Sequence, residues 1–339
     1  MMERVSIRDV AKQAGVSITT VSKALNDYAD VKPETRERIR EIARRMNYVP
    51  NAAGRSMGGR VDKVIGLLIN DLRPMDPSGA VYGILSGVCH ACQDTGIEFI
   101  LMTTDPNRQK THPLKVLCLS KQLTGLICSG FRLGDPYLKQ LEEIDIPCAF
   151  IDMRTGHPDV LDITMDNERA AYEAVSFLIK NGRKNIALVN GGPEADVSIL
   201  RGNGYQRAME SAGLPVRLSR VLAADFDEST AYRQVKQLLQ RDSEVDALFC
   251  ASDLMALGAC KAIEEAGFIV GQDIAVVGFD DIPVAKHLYG GLTTIRQDFY
   301  LMGYMAGKAI YERIEGREAA GVEEMMYELV IRGSARGTL

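Results

Sequence analysis

The sequence predicts a small all-α head, a short hinge, and an α/β body of two similar parallel-sheet lobes. Three observations carry that prediction. The first 50 residues place apolar side chains at helical spacing, broken by Gly15 and Pro33. Residues 51–60 hold three glycines, Gly54, Gly58 and Gly59. From Val61 onward short apolar runs alternate with helical stretches, the pattern of strand–helix–strand crossovers.

The head reads as three helices. Ser6 is a good N-cap, and Asp9 three residues on completes a capping box. Ile7, Val10, Ala11 and Ala14 follow on one face, and Gly15 ends the helix at a tight turn. Ser17 caps a second helix, Ser17–Asn26, with Val21, Ala24 and Leu25 turned inward. Pro33 suits the first turn of a third, whose stripe is Ile39, Ile42, Ala43 and Met46. Two short helices about a glycine turn, completed by a third, make a helix-turn-helix. The second helix of such a motif lies in the major groove with its N-terminal side chains on base edges. Its exposed residues here are Ile18, Thr19, Thr20, Ser22 and Lys23, short hydrogen-bonding groups with one apolar group and one cation. A three-helix bundle with a solvated polar face fits the same pattern.

Charge separates head from body. The net charge is −5. Residues 1–60 carry twelve Lys/Arg against seven Asp/Glu, a surplus of +5, and the remainder carries −10. A basic head on an acidic body suits a chain whose head alone meets a polyanion. The 339 residues suffice for two or three domains. No apolar run reaches the roughly 18 residues a membrane span needs. The charged start, with Glu3, Arg4, Arg8 and Asp9, is unlike a signal peptide. With seven unpatterned cysteines it points to the reducing cytoplasm.

In the body, strands are expected at Val64–Asn70, Ile97–Thr103, Leu123–Ser129 and Cys148–Asp152. A second series is expected at Asn185–Asn190, Ser219–Ala224, Ala247–Ser252 and Ile274–Asp280. Helices are expected at Ala80–Thr95, Asn167–Asn181, Leu200–Ala212, Thr230–Gln240 and Leu254–Ala266. The two series echo each other. Ile65-Gly-Leu-Leu-Ile-Asn70 resembles Ile186-Ala-Leu-Val-Asn-Gly191 at an offset of 121, and Gly125–Ser129 resembles Ala247–Ala251 at 122. A shared offset suggests two lobes of one topology facing each other across a cleft. Ligands of open parallel sheets bind beyond the carboxyl ends of the strands. Those ends carry Asn70–Asp71, Ser129, Asp152, Asn190, Ser252–Asp253 and Asp280–Asp281. Polar residues also follow strands simply as turn formers, and Asp253 reads equally as a helix cap.

Enzyme readings find little support. Cys89-His-Ala-Cys92 falls inside an expected helix without a second ligand pair. Gly202-Asn-Gly204 lacks the third glycine of a dinucleotide fingerprint and lies within a helix. His90, His112, His157 and His287 have no neighbouring Ser or Cys motif. No catalytic residue, metal or cofactor is expected. A binding protein or a sugar-processing enzyme would fit the body alone.

The run Ser6-Ile-Arg-Asp-Val-Ala-Lys-Gln-Ala-Gly-Val-Ser-Ile-Thr-Thr-Val-Ser-Lys-Ala-Leu-Asn26 closely resembles the N-terminal signature of the lactose-repressor (LacI/GalR) family. So does the stretch from Thr35-Arg-Glu-Arg-Ile to Asn47-Tyr-Val-Pro-Asn51, and further segments extend the likeness over nearly the whole chain. The resemblance implies a helix-turn-helix domain at 1–50, a hinge at 51–60, and a periplasmic-binding-protein-like, effector-binding and dimerising body at 61–339. The lobes would be about 61–162 with 292–322, and about 163–291 with 323–339. Leu292–Gln297 and the helix near Phe299–Glu315 would return to the first lobe, and Tyr327–Arg332 would be the last strand of the second.

By the same resemblance Ile18, Thr19 and Lys23 read bases, while Ser17, Thr20, Ser22 and Asn26 mostly contact phosphate. Lys23 stands where the family usually has arginine, and Met57 where it usually wedges a leucine into the minor groove. Glycines in the hinge, each costing a helix about 1 kcal/mol relative to alanine, imply a segment ordered only on operator DNA. In the body, Arg201 matches an effector-clasping arginine, Asp280 a carboxylate receiving ligand hydroxyls or amines, and Phe226 a stacking aromatic. Asp152 would be a wall residue. Ser252 replaces a usual asparagine, and Asp76 with Pro77 replaces a frequent aromatic pair, which favours a sugar, a sugar acid derivative or a cationic ligand over a planar purine. The implied function is an effector-controlled repressor, a homodimer on a pseudo-palindromic operator; no leucine heptad tail points to a tetramer.

Overall fold

The computed structural model describes residues 6–25, 28, 30–46, 48, 63–72, 78–317 and 322–335. They fall into two compact units, Met1–Lys63 and Val64–Leu339. The expected hinge at 51–60 with Met57, and Asn26, Asp76 and Pro77, lie outside the described residues.

In the first unit, helix α1 (Ile7–Ala14) opens on Ser6. The Ser6 hydroxyl accepts from the Asp9 N–H, and the Asp9 carboxylate accepts from the Ser6 N–H at 2.8 Å. Gly15 then turns the chain at φ 65°, a conformation open to glycine at no steric cost. Helix α2 (Ile18–Leu25) opens on Ser17, whose Oγ accepts from the Thr20 N–H at 3.1 Å. Helix α3 (Pro33–Arg45) carries Pro33 in its first turn, where no N–H is missed. Val10, Val21, Ala24 and Ile39 are fully buried between the three helices. Arg38 ties α3 to the end of α1 by donating to the Ala14 carbonyl at 3.2 Å.

The second unit opens with β1 (Val64–Asn70), α4 (Ala80–Thr95), β2 (Glu98–Thr104), α5 (Pro106–Thr111), α6 (Leu114–Ser120), β3 (Gly125–Ser129), β4 (Cys148–Ile151) and β5 (Val160–Met165). The second half follows as α7 (Asn167–Lys180), β6 (Ile186–Asn190), α8 (Asp196–Ser211), β7 (Val221–Ala223), α9 (Glu228–Arg241), β8 (Ala247–Cys250), α10 (Asp253–Glu265), β9 (Ala275–Asp280) and β10 (Thr293–Arg296). The chain ends with α11 (Phe299–Ile314), β11 (Val322–Met325) and β12 (Glu328–Val330).

Two sheets result among the described residues. Their orders are β11-β5-β4-β3-β1-β2 and β12-β10-β9-β8-β6-β7. Every pair is parallel except β10 with β12. The five strands β2-β1-β3-β4-β5 repeat as β7-β6-β8-β9-β10, which explains the sequence echo. Ile65 faces Gly125 in the first sheet as Ile186 faces Ala247 in the second.

Four expectations need correction. Val160–Met165 is a strand of the first sheet, so a lobe boundary at 162/163 cuts it; the boundary falls after Met165. Its apolar run is interrupted by Asp162 and Thr164, both buried, and Asp162 accepts from the Thr155 N–H and hydroxyl. Thr293–Arg296 pairs with Val277–Asp280 in the second sheet rather than returning to the first. Val322–Met325 pairs with Asp162–Met165 in the first sheet, so the last crossing comes after Met325. Helix α8 also starts four residues earlier than the expected Leu200.

Helices pack in pairs through glycine. At Gly303 of α11 a Cβ would lie 2.2 Å from the Ile84 carbonyl oxygen of α4. At Gly204 of α8 it would lie 2.2 Å from the Glu168 carbonyl oxygen of α7. Gly204 of the Gly202-Asn-Gly204 run thus serves a close helix crossing.

Candidate ligand cleft and nucleic-acid interface

A cavity of about 540 Å³ opens between the carboxyl ends of the two sheets. Asp152, Arg201, Phe226, Ser252 and Asp280 all line it, so five of the six expected effector residues converge; the sixth, Asp76, is outside the described residues. The backbone at these strand ends is unusual. Asp71, Asp152 and Phe226 have φ of 50°, 58° and 57°, and Asp280 has 118°. Non-glycine residues in such conformations cost roughly 1–3 kcal/mol each and cluster at functional sites.

Arg201 is the hub on the second lobe. It projects from α8 and is 2% exposed. Its Nε donates to Asn167 Oδ1 at 2.8 Å and its Nη1 to the Ala251 carbonyl at 2.7 Å. The guanidinium lies 3.6 Å from the Phe279 ring centre, so its face is covered. Nη1 approaches Asp280 Oδ1 at 4.0 Å.

Asp280 ends β9. Gln297 Nε2 donates to its Oδ1 at 2.6 Å. Burial pushes the Asp280 carboxyl up to about 7, eased by Arg201 and Gln297 and reinforced by the Asp152 charge. Burial also raises Asp152, with Arg201 opposing. Asp281, next in sequence, behaves oppositely. Its burial is outweighed by the ion pairs to Arg296 and Arg332, which hold it below the usual carboxylate range. It braces the sheet end, whereas Asp280 lines the cavity.

Two strand-end residues have roles the sequence left open. Ser252 lines the cavity but also caps α10, accepting from the Met255 N–H at 3.3 Å. Asp253 is therefore not the cap. It is fully buried, accepting from the Ile282 N–H at 2.9 Å and the Thr294 hydroxyl at 2.6 Å. Gly278 leaves room for it, since a Cβ there would sit 2.1 Å from Asp253 Oδ1. Burial, then the nearby Asp280 charge, raises the Asp253 carboxyl well above its ordinary value. Asn190, at the end of β6, turns toward α8, donating to the Ser198 carbonyl at 2.9 Å.

Sequence reasoning missed Gln297, Arg132 and Asn167. Gln297 lines the cavity at the crossing from β10 to α11, 6% exposed, and its Oε1 has no partner. Arg132 reaches over the cleft from the first lobe to Asp225 of the second at 3.2 Å. Two backbone donors join the lobes beside it: the Leu133 N–H to the Glu194 carbonyl at 2.9 Å, and the Arg154 N–H to Asp196 Oδ2 at 3.0 Å. No short-range signal marks these groups, because each partner is remote in sequence.

In the first unit, Ser17, Ile18 and Thr19 are exposed at the start of α2, and Ile18 is 44% exposed. Thr20, Ser22 and Lys23 are half-buried. The Ser17 and Thr20 hydroxyls share a hydrogen bond of 2.9 Å. Lys23 forms an ion pair with Asp30, whose hydrogen bond lowers the Asp30 carboxyl below its ordinary value. The pairing of Lys23 was not legible in the sequence. Among the described residues no helix is long and apolar enough to cross a membrane.

Residues 6–51 match the family described as bacterial regulatory proteins, lacI family, and residues 175–335 match the periplasmic binding protein-like domain. Catabolite control protein A of Priestia megaterium is 31% identical over 304 residues, 89% of this chain and 90% of that protein. The chain belongs to the lacI family. The HTH-type transcriptional repressor PurR of Serratia proteamaculans (strain 568) is 32% identical over 97% of the lacI-family chain described here and 96% of its own. The lac repressor dimer bound to operator and the anti-inducer ONPF superposes with a TM-score of 0.87 at 27% identity, covering 98% of this chain and 99% of that one. A complex of the transcriptional regulator CelR with cellobiose gives 0.75 at 29%, covering 98% and 100%. The lacI-family chain is thus a DNA-binding transcriptional repressor with an effector-binding body, and its relatives are regulators rather than enzymes.

Proposed function

We propose that this lacI-family chain is a cytoplasmic homodimer that binds a pseudo-palindromic operator, and that a carbohydrate held between the lobes controls its operator affinity. The observation that carries the effector reading is the convergence of Asp152, Arg201, Phe226 and Asp280 on one cavity between the sheets. Its size falls in the range typical of small-molecule sites. An aromatic ring and buried acceptors suit a ligand with apolar C–H faces and many hydroxyl donors. The CelR complex with cellobiose and the lac repressor bound to ONPG support the same class.

For DNA, Ile18, Thr19 and Lys23 would meet base edges, with Ser17, Thr20, Ser22 and Asn26 on phosphates and Met57 in the minor groove. Lys23 would exchange Asp30 for DNA. For the dimer, edge strand β2 exposes Ile100 and Leu101, 36% and 44% exposed, and the lac repressor is solved as a dimer on operator.

The coupling has a physical route. Both site anchors are bonded to interlobe crossings, Arg201 to Asn167 after β5 and Asp280 to Gln297 after β10. A ligand that pulls on either anchor acts on the segments that set lobe placement. Lobe placement would set the spacing of the two heads, and so the fit to both half-sites. A gel-shift on operator-like palindromes, repeated against sugars and nucleobases, tests the reading. The expected result is specific binding that a sugar alters. Absence of specific binding to any such palindrome at modest salt would defeat it, and a response to nucleobases alone would replace the effector class.

A further inference from the structure

The cleft holds more carboxylate than cation. Asp71, Asp152, Asp196, Asp227, Glu228 and Asp280 line the cavity, against Arg132 and Arg201. Arg132 is already paired with Asp225. Arg201 is fixed by Asn167 and the Ala251 carbonyl. One buried guanidinium therefore faces both Asp152 and Asp280. An entering anion would meet that surplus in a medium where charges interact more strongly than in water.

A second observation points the same way. Gln297 is more than nine-tenths buried and lines the cavity; its amide nitrogen is engaged by Asp280 while its Oε1 has no partner. Asp152 Oδ1 is likewise buried and unpartnered. Leaving a buried acceptor unsatisfied costs about 1–3 kcal/mol. Both orphans are acceptors, so the missing partner is a donor, and the charge surplus makes a cationic donor the best one. The Phe226 ring serves either the C–H face of a sugar or an ammonium group.

We propose that the effector is an amine-bearing sugar whose ammonium group is held by Asp152 and Asp280 and whose hydroxyls reach Gln297. The proposal rests on the carbohydrate reading and narrows it. The same charge disfavours uronates and sugar phosphates, which the neighbouring carboxylates would repel. Binding is then linked to protons. Without ligand, Asp280 faces Arg201 of α8, Asp152 of the first lobe and Asp253 of α10, and burial favours its protonated form toward neutral pH. An ammonium beside it favours the carboxylate. Affinity for the amine therefore rises, with proton release, as pH is raised from 5.5 to 7.

Calorimetry on the purified full chain tests this with glucosamine and its β-1,4-linked dimer, against glucose, cellobiose, glucuronate and hypoxanthine. The amine sugars should bind at least tenfold more tightly than their hydroxyl parents at pH 7. They should weaken several-fold at pH 5.5, and glucuronate should not bind. Asp152→Asn and Asp280→Asn should each abolish the preference for the amine, with folding checked by thermal denaturation. Equal or tighter binding of glucose or cellobiose overturns the inference and leaves the carbohydrate reading standing. Binding of hypoxanthine alone, or of none of these compounds, overturns both.

Discussion

The two lobes repeat one strand order yet hold the charged groups they bring to the cleft in different ways. On the second lobe the charged groups are interlocked: Arg201 is held by Asn167, Ala251 and Phe279, and Asp280 by Gln297. On the first lobe Ile69 of β1 and Ile151 of β4 line the cavity with Asp152, whose Oδ1 has no partner. The guanidinium and carboxylate of the second lobe are held in place, whereas Asp152 of the first keeps one carboxylate oxygen without a partner. Duplicated topology thus fixes where side chains converge, and local hydrogen bonding decides which face holds its geometry without ligand.

Breaking the second lobe's hub should have the largest effect. Arg201→Ala leaves Asp280 buried without its neighbouring cation, and removal of one partner from a buried ion pair typically costs 3–5 kcal/mol. Urea denaturation should show a loss of about that size; a loss under 1 kcal/mol would mean that the carboxylate is not relying on it. Next is Asp280→Asn. The Asp280 carboxyl is raised to about 7 when folded, from an ordinary value of 3.8. The folded chain therefore binds more protons than the unfolded one between those values, and this group's contribution to stability is lost as pH rises from about 4 toward 7. A urea series across that window should slope downward in the native chain and flatten in the variant.

Asp152→Ala should behave differently from both. With one oxygen unpartnered, its removal should change stability by no more than about 1 kcal/mol, while sugar affinity falls about tenfold. A large destabilisation would show that the first lobe depends on Asp152 as much as the second depends on Arg201. The smallest effect belongs to Arg132→Ala. Its pair with Asp225 is partly solvated, and such pairs contribute roughly 0.2–1 kcal/mol. Small-angle scattering without ligand should nonetheless report a more open body, and an unchanged profile would remove Arg132 from the closure of the cleft.

What the sequence disclosed follows the same division between local and remote causes. The head was legible because its signals are neighbours: Ser6 with Asp9, Gly15 at the turn, Pro33 at a helix start. Most body strands were legible as apolar runs. Strands β5 and β10 were misread because they bury Asp162 and Thr164, or Thr293 and Thr294, whose acceptability depends on folded context. Thr294 donates to Asp253, 41 residues away, and no window along the chain contains that pair. Arg201 and Asp280 were found by resemblance to a family motif, whereas Gln297, Arg132 and the Lys23–Asp30 pair required three dimensions. Asp253 could be read either as a ligand-facing residue or as a cap, because a carboxylate ahead of an apolar helix is ordinarily one.

The central claim is that occupancy of the cleft sets the DNA affinity of the head. Fluorescence anisotropy of a labelled palindromic operator, titrated at one fixed salt concentration with and without a sugar already shown by calorimetry to bind, measures it directly. Coupling of about 1–3 kcal/mol, a 5- to 150-fold change in operator Kd, is the result expected for such linked sites. Identical operator affinity with the cleft empty and saturated would contradict the account.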